Sequence, residues 1–235
     1  MKVNTKNINQ ALLTLISNPN YTLFLDANFF IPPDRTKLGA RASFDFEKFK
    51  EIWLEPLFLE FSGLSVHESV YEELVEQKTK NYADGKINQS PSKLQVHYDN
   101  VLTNTEQAMY QTHLVKLSQY SKYIPTQDNK DDRGEIKSLS YMQVKGFLYF
   151  ASNDNLPSTL IDDAANVQSG LDHMSLLHYY DLIYFLYKKG YDAKPLRATY
   201  KYLYYLTKTE QRMNPAWGDF VAEMDQLYKD IMWNN

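Results

Sequence analysis

The chain has 235 residues and a formal net charge of −4. That length allows one large domain with a sizeable core, while the charge supplies no global field to draw it onto nucleic acid or an anionic membrane, so any such contact must be local. The absence of Cys excludes disulfides, thiolate metal sites and cysteine nucleophiles, and fits a reducing compartment.

Residues 1–20 are polar and lack the long apolar core of a signal peptide. No window approaches 18 uninterrupted apolar residues. A cytoplasmic protein without a membrane partner is therefore expected. The 19 Tyr and 12 Phe imply many side chains with a buried ring and a hydroxyl near the surface.

In chain order, Ile8, Leu12, Leu13 and Ile16 recur at helical spacing, and Asn18-Pro19-Asn20 ends that helix. Leu23-Phe24-Leu25 then reads as a short strand buried on both faces, stopping at Asp26. A loop through Pro32, Pro33 and Gly39 leads to a helix over 45–54. A second apolar strand closes on Leu64-Ser65-Val66, and a helix over 69–75 follows. Residues 78–92, with Gly85 and Pro91, read as a solvated loop, and 93–120 as helical.

A charged turn, 128–134, opens a helix over 135–145 that Gly146 stops. Phe147–Ala151 is another buried-type strand, ending at Ser152-Asn153-Asp154-Asn155, and Leu160-Ile161 suggests one more. Helices are predicted over 173–188, 195–207 and 217–232. Strands alternating with helices imply an α/β class: three layers, α/β/α, around a mainly parallel sheet. In this division residues 1–190 form the domain, about 78–123 is a helical insertion, and 191–235 is a helical C-terminal extension packed on it.

Four acids stand out, each with a plainer reading beside it. Asp26 and Asp154 end strands, where ligands collect in open α/β sheets, although Asp is also common as a turn cap. Glu68, Glu72 and Glu76 share a solvated helical stripe, whereas Glu73 borders the buried face and needs a partner there, a salt bridge or a metal. Asp131 and Asp132 suit helix capping, while Glu135 leans to the side of Leu139 and Met142. If Asp26, Glu73, Glu135 and Asp154 converge, they cannot all ionise without cations. An all-oxygen set suits Mg2+ or Mn2+.

The segments Leu23-Phe24-Leu25-Asp26-Ala27-Asn28, Val70-Tyr71-Glu72-Glu73-Leu74, Asp132-Arg133-Gly134-Glu135-Ile136 and Ser152-Asn153-Asp154-Asn155-Leu156 together resemble a PIN domain. The resemblance covers roughly residues 20–190. It implies a parallel-sheet α/β/α fold and a Mg2+- or Mn2+-dependent ribonuclease, with single-stranded RNA as substrate and, as in toxin members, an antitoxin-like protein partner. By position it assigns metal binding and catalysis to Asp26, Glu73, Glu135 and Asp154, with Glu72 and Asp132 as alternative alignments for the second and third. Residues 78–123 and the C-terminal extension depart from small members of the family. A non-catalytic PIN-like interaction protein is the other reading.

Arg35, Lys37 and Arg41 follow Asp26 by a loop and could reach a phosphate near the acids, with Arg133 beside Glu135. Lys188, Lys189, Lys194, Arg197, Lys201, Lys208 and Arg212 lie among tyrosines, a pattern that fits single-strand binding but more simply a solvated face over a tyrosine core. The five histidines, His67, His97, His113, His173 and His178, show no zinc spacing and read as surface or structural. No P-loop, Gly-x-Gly-x-x-Gly or Gly-x-Ser-x-Gly motif occurs.

Overall fold

Leu23, Phe24 and Leu25 form the central strand β1 (Leu23–Leu25) and are wholly buried in a computed structural model that describes residues 2–233. Successive side chains of a strand point to opposite faces. Accordingly Leu23 and Leu25 enter one apolar cluster and Phe24 the other. A strand flanked by core on both sides has no solvated face, which is why it lacks polar alternation.

Helix α1 (Gln10–Ser17) precedes β1 and is capped by Asn9, whose side chain accepts from the N–H groups of Ala11 and Leu12. After β1, helix α2 (Phe46–Phe49) continues through a π-helical turn, Lys50–Leu54, into α3 (Glu55–Glu60). Strand β2 (Leu64–His67) leads to α4 (Glu68–Glu73) and α5 (Gln77–Ile87). Strand β3 (Gln95–His97), α6 (Asn104–Ser118) and α7 (Arg133–Lys145) follow. Next come β4 (Tyr149–Ala151), α8 (Asn155–Asp162), α9 (Ala164–Val167) and β5 (Ser175–Leu177). Helices α10 (Tyr179–Lys188), α11 (Ala193–Tyr204), α12 (Lys208–Met213) and α13 (Trp217–Leu227) complete the described chain.

The five strands are all parallel, in the order β3-β2-β1-β4-β5. This is the expected α/β/α class. Residues of α1, α3, α10, α11 and α13 pack on one face, and residues of α6, α7 and α8 on the other. The chain leaves β1 toward β2 on one side and returns to it with β4 on the other. Such a reversal opens a crevice beyond the carboxyl ends of the two strands. The register Leu25↔Ala151 brings the residues following both strands to that place.

Several expectations for individual segments are corrected. Residues 77–87 are helix α5 instead of loop. Only Thr79 and Ala83 are buried there, so little amphipathic signal exists, and the helix is held by tertiary contacts: Tyr71 Oη donates to Asp84, and Lys86 pairs with Glu55. The stretch 78–123 is not purely helical, because it supplies the edge strand β3. An edge strand with the sequence Gln-Val-His and no fully buried residue carries no apolar run to reveal it. Leu160-Ile161 lies in α8 and not in a strand. Residues 175–177 are strand β5 and not the start of the aromatic helix, because their backbone pairs with β4.

The C-terminal helices pack on the domain: Tyr200, Tyr204, Phe220 and Met224 are buried in the same cluster as β1. Because Phe24 is central to the second cluster, Phe24→Ala should cost roughly 3–5 kcal/mol of stability. Urea unfolding of the two proteins side by side measures this, with the m-value unchanged if only packing is lost.

Candidate metal centre

Asp26 stands one residue beyond β1, and its backbone N–H still donates to Ala151 O across the sheet (3.0 Å). Its carboxylate is 2 % exposed. Oδ1 accepts from Ala27 N–H (2.7 Å), so the turn-cap role is real. Oδ2 accepts from Ser152 Oγ and from Asn28 Nδ2, both at 2.7 Å. Asn28 Nδ2 also reaches Asp154 Oδ2 (3.0 Å) and thereby ties the two strand-end aspartates together. Ser152 adds a second tie, accepting at Oγ from Asp154 N–H (3.1 Å).

Glu135 enters from the first turn of α7. Asp26, Glu135 and Asp154 each bring a carboxylate oxygen within 4.8 Å of the others. Three of the four acids predicted from sequence therefore converge, from three separate elements. Glu73 lies outside that group but lines the same cavity of about 600 Å3. Its Oε1 accepts from Gly134 N–H (2.9 Å) at the start of α7. Gly134 is needed for that approach, since a Cβ there would fall 2.6 Å from Glu73 Oε1.

The alternative alignments are not supported by position. Glu72 is exposed and paired with Arg133 (2.7 Å). Asp132 takes a left-handed backbone conformation, φ 54°, and its Oδ2 accepts from Lys122 N–H (2.7 Å). The helical-face argument for Glu135 over its neighbours thus agrees with the geometry.

Among the described residues, no Lys, Arg or His forms an ion pair with Asp26, Glu135 or Asp154. Burial, then repulsion from Glu135 and Asp154, pushes the Asp26 carboxyl well above its usual range. Burial raises Glu135 to about 7, assisted by Asp154 and Glu73 and opposed by its own N–H. Burial likewise raises Glu73 to about 7, against the Gly134 N–H and Arg133. A cluster of carboxylates with no cation of its own fits a hard divalent ion. Asn28 turns its Nδ2 toward the acids, and its Oδ1 is buried without a donor.

The basic residues are disposed less simply than their spacing suggests. Arg35 lines the acid cavity but is paired with Glu210. Arg133 is held by Glu72 and by Asp128 (3.1 Å). Lys37 and Arg41 are exposed and do not line the cavity. In the C-terminal section Lys194, Arg197 and Lys201 are exposed while Tyr200 and Tyr204 are buried, as a solvated face over a ring core requires. Sequence reasoning did not foresee the roles of Ser152 and Glu210. A hydroxyl two residues before an acid and a glutamate 175 positions from its arginine leave no local signature.

His67, Glu68 and Asp99 form a second close group, but its members are already engaged. His67 Nε2 meets Asp99 Oδ1 (2.9 Å), Tyr110 Oη donates to Asp99 Oδ2 (3.0 Å), and Glu68 Oε1 accepts from Asp99 N–H (2.8 Å). That network joins β2, α6 and the segment after β3, which suits the structural reading of His67. No family model, curated protein or solved structure matches the chain. Among the described residues, no helix is long and apolar enough to cross a membrane.

The raised carboxyls set a pH dependence. Below the unfolded value of about 4.5 both states hold the Glu73 and Glu135 protons, and nothing is lost. From there to about 7 the unfolded chain releases protons that the native chain keeps, so stability falls as pH rises. In EDTA the melting temperature should therefore drop between those limits, and Glu135→Gln should flatten the drop. Mg2+ or Mn2+ should raise the melting temperature more at pH 8 than at pH 5, because protons compete for the same oxygens. Differential scanning fluorimetry across pH reads both effects.

Proposed function

We propose that this chain is a Mg2+- or Mn2+-dependent nuclease of PIN type that hydrolyses phosphodiester bonds in single-stranded RNA. The observation that carries this reading is the convergence of Asp26, Glu135 and Asp154 within 4.8 Å at the reversal point of a parallel sheet, without a counter-cation. The choice of RNA, and of an antitoxin-like protein as a further partner, rests on the resemblance of the four acid-bearing segments to that family.

In this reading Asp26, Glu135 and Asp154 hold the ion, and Glu73 stands at the edge of the group. A bound divalent ion would supply a hydroxide nucleophile and neutralise charge on the phosphate oxygens. Ser152 and Asn28 fix the carboxylate of Asp26 through Oδ2, so its orientation is set before any ligand arrives. Glu73 uses Oε1 to hold Gly134. With its carboxyl near 7, it can accept or release a proton close to neutral pH.

The test is cleavage of labelled single-stranded RNA and DNA with Mn2+, with Mg2+ and with EDTA. Cleavage should require metal, and Asp26→Asn and Asp154→Asn should each lower it by at least ~100-fold, the scale associated with removing one electrostatic contributor. Asp154 is exposed, so its replacement leaves the core intact and separates lost chemistry from lost folding. Equal activity in wild type and both variants would sink the assignment. A fully inert chain that still folds would favour the non-catalytic interaction protein.

A further inference from the structure

Of the residues lining the acid cavity, six are carboxylates and Arg35 is the sole base. Arg35 does not offset the metal acids. Its guanidinium donates through Nη1 to Tyr202 O (2.7 Å) and Leu203 O (2.5 Å), and through Nη2 to Glu210. The two carbonyls belong to the last turn of α11, where helix carbonyls have no partner within the helix. Arg35 therefore caps that helix with one nitrogen while pairing with a carboxylate through the other.

Glu210 has its own anchor. Its Oε2 accepts from Thr207 N–H (2.9 Å) and Leu206 N–H (3.1 Å) in a capping box at the start of α12. Glu210 is thus held whether or not Arg35 is present. Both side chains are 13 % exposed and both line the cavity, so the pair sits where a ligand entering the crevice would meet it. Glu210 meets the guanidinium through Oε1 alone, because its Oε2 stays in the capping box, and a phosphate oxygen can accept from the same Nη2 as well as a carboxylate oxygen does.

We propose that Arg35 is the phosphate-binding group of the crevice, and that the Glu210 carboxylate occupies its place until a phosphate ester displaces it. The ligand's chemical class is a phosphomonoester or phosphodiester; that it belongs to RNA rests on the nuclease reading above. Nη1 stays on the α11 carbonyls during the exchange, so the arginine is already oriented and only one partner is replaced. The exchange makes ligand binding selective, because a ligand without an anionic oxygen cannot compete with the Glu210 carboxylate for Nη2.

Inorganic phosphate is the first probe and labelled single-stranded RNA the second, both titrated in Mg2+ into the full chain. Glu210→Gln keeps the capping box, which Gln also forms, but removes the competing charge. It should bind phosphate at least roughly fivefold more tightly, about 1 kcal/mol, the net scale of one intramolecular hydrogen bond. In Arg35→Ala/Glu210→Gln that gain should vanish, a non-additivity that marks direct coupling. Arg35→Lys, which keeps the charge but not the fork, should weaken phosphate binding while still giving a cooperative melting transition, lowered by the loss of the α11 carbonyl contacts. The idea is overturned if Glu210→Gln gains nothing, or if the gain survives without Arg35. Phosphate binding is independent of cleavage. Coupling without RNA hydrolysis would therefore retain the inference and remove the nuclease reading; hydrolysis without coupling would do the reverse.

Discussion

Repulsion between the buried carboxylate of Asp26 and its acidic neighbours is the constraint around which the crevice is arranged. Asp26, Glu135 and Asp154 bring carboxylate oxygens within 4.8 Å of one another, from a buried, a half-buried and an exposed position, and among the described residues no Lys, Arg or His pairs with them. Hydrogen bonds offset part of the cost. Asp26 alone collects the Ala27 N–H, the Asn28 amide and the Ser152 hydroxyl. The rest is met by retained protons, which is why burial drives Glu73 and Glu135 to about 7. A fold optimised for stability alone would place apolar or paired groups here. Local cost of this kind is characteristic of functional sites.

The sheet order makes that cost unavoidable. Parallel strands point all their carboxyl ends one way, and the reversal of direction between β1 and β4 opens a crevice at those ends. Residues just past Leu25 and Ala151 must therefore face each other. The start of α7 closes a third side, where Gly134 lets the Glu73 carboxylate come within hydrogen-bond reach of the backbone. The C-terminal helices close a fourth. Tyr204 Oη donates to Asn153 Oδ1, and the Arg35–Glu210 pair joins the loop after β1 to α12. Helices beyond residue 190 therefore form part of the crevice wall as well as part of the core.

Much of the centre was legible in the chain because its signals are local. An apolar triplet followed by Asp is readable wherever it occurs, since it needs no knowledge of distant residues. Helical periodicity separated Glu135 from Asp132 and Glu73 from Glu72, and the side-chain positions agree with that separation. The elements that escaped notice lack such signals. Strand β3 has a single apolar residue, and α5 buries only two small side chains. Strand β5 continues directly into an aromatic helix.

The sequence by itself determined the strand ends that carry Asp26 and Asp154, the class of the fold, and, through its missing cysteines, the absence of thiolate ligands. Tertiary structure alone decided which acids meet. It brought Glu135 into the group while giving one oxygen of Glu73 to Gly134. It also turned Arg35 from a free base near the acids into one held by Glu210. The reason is range: periodicity and burial act over a few residues, whereas the partners of a charge are set by whichever distant segments the sheet order brings beside it.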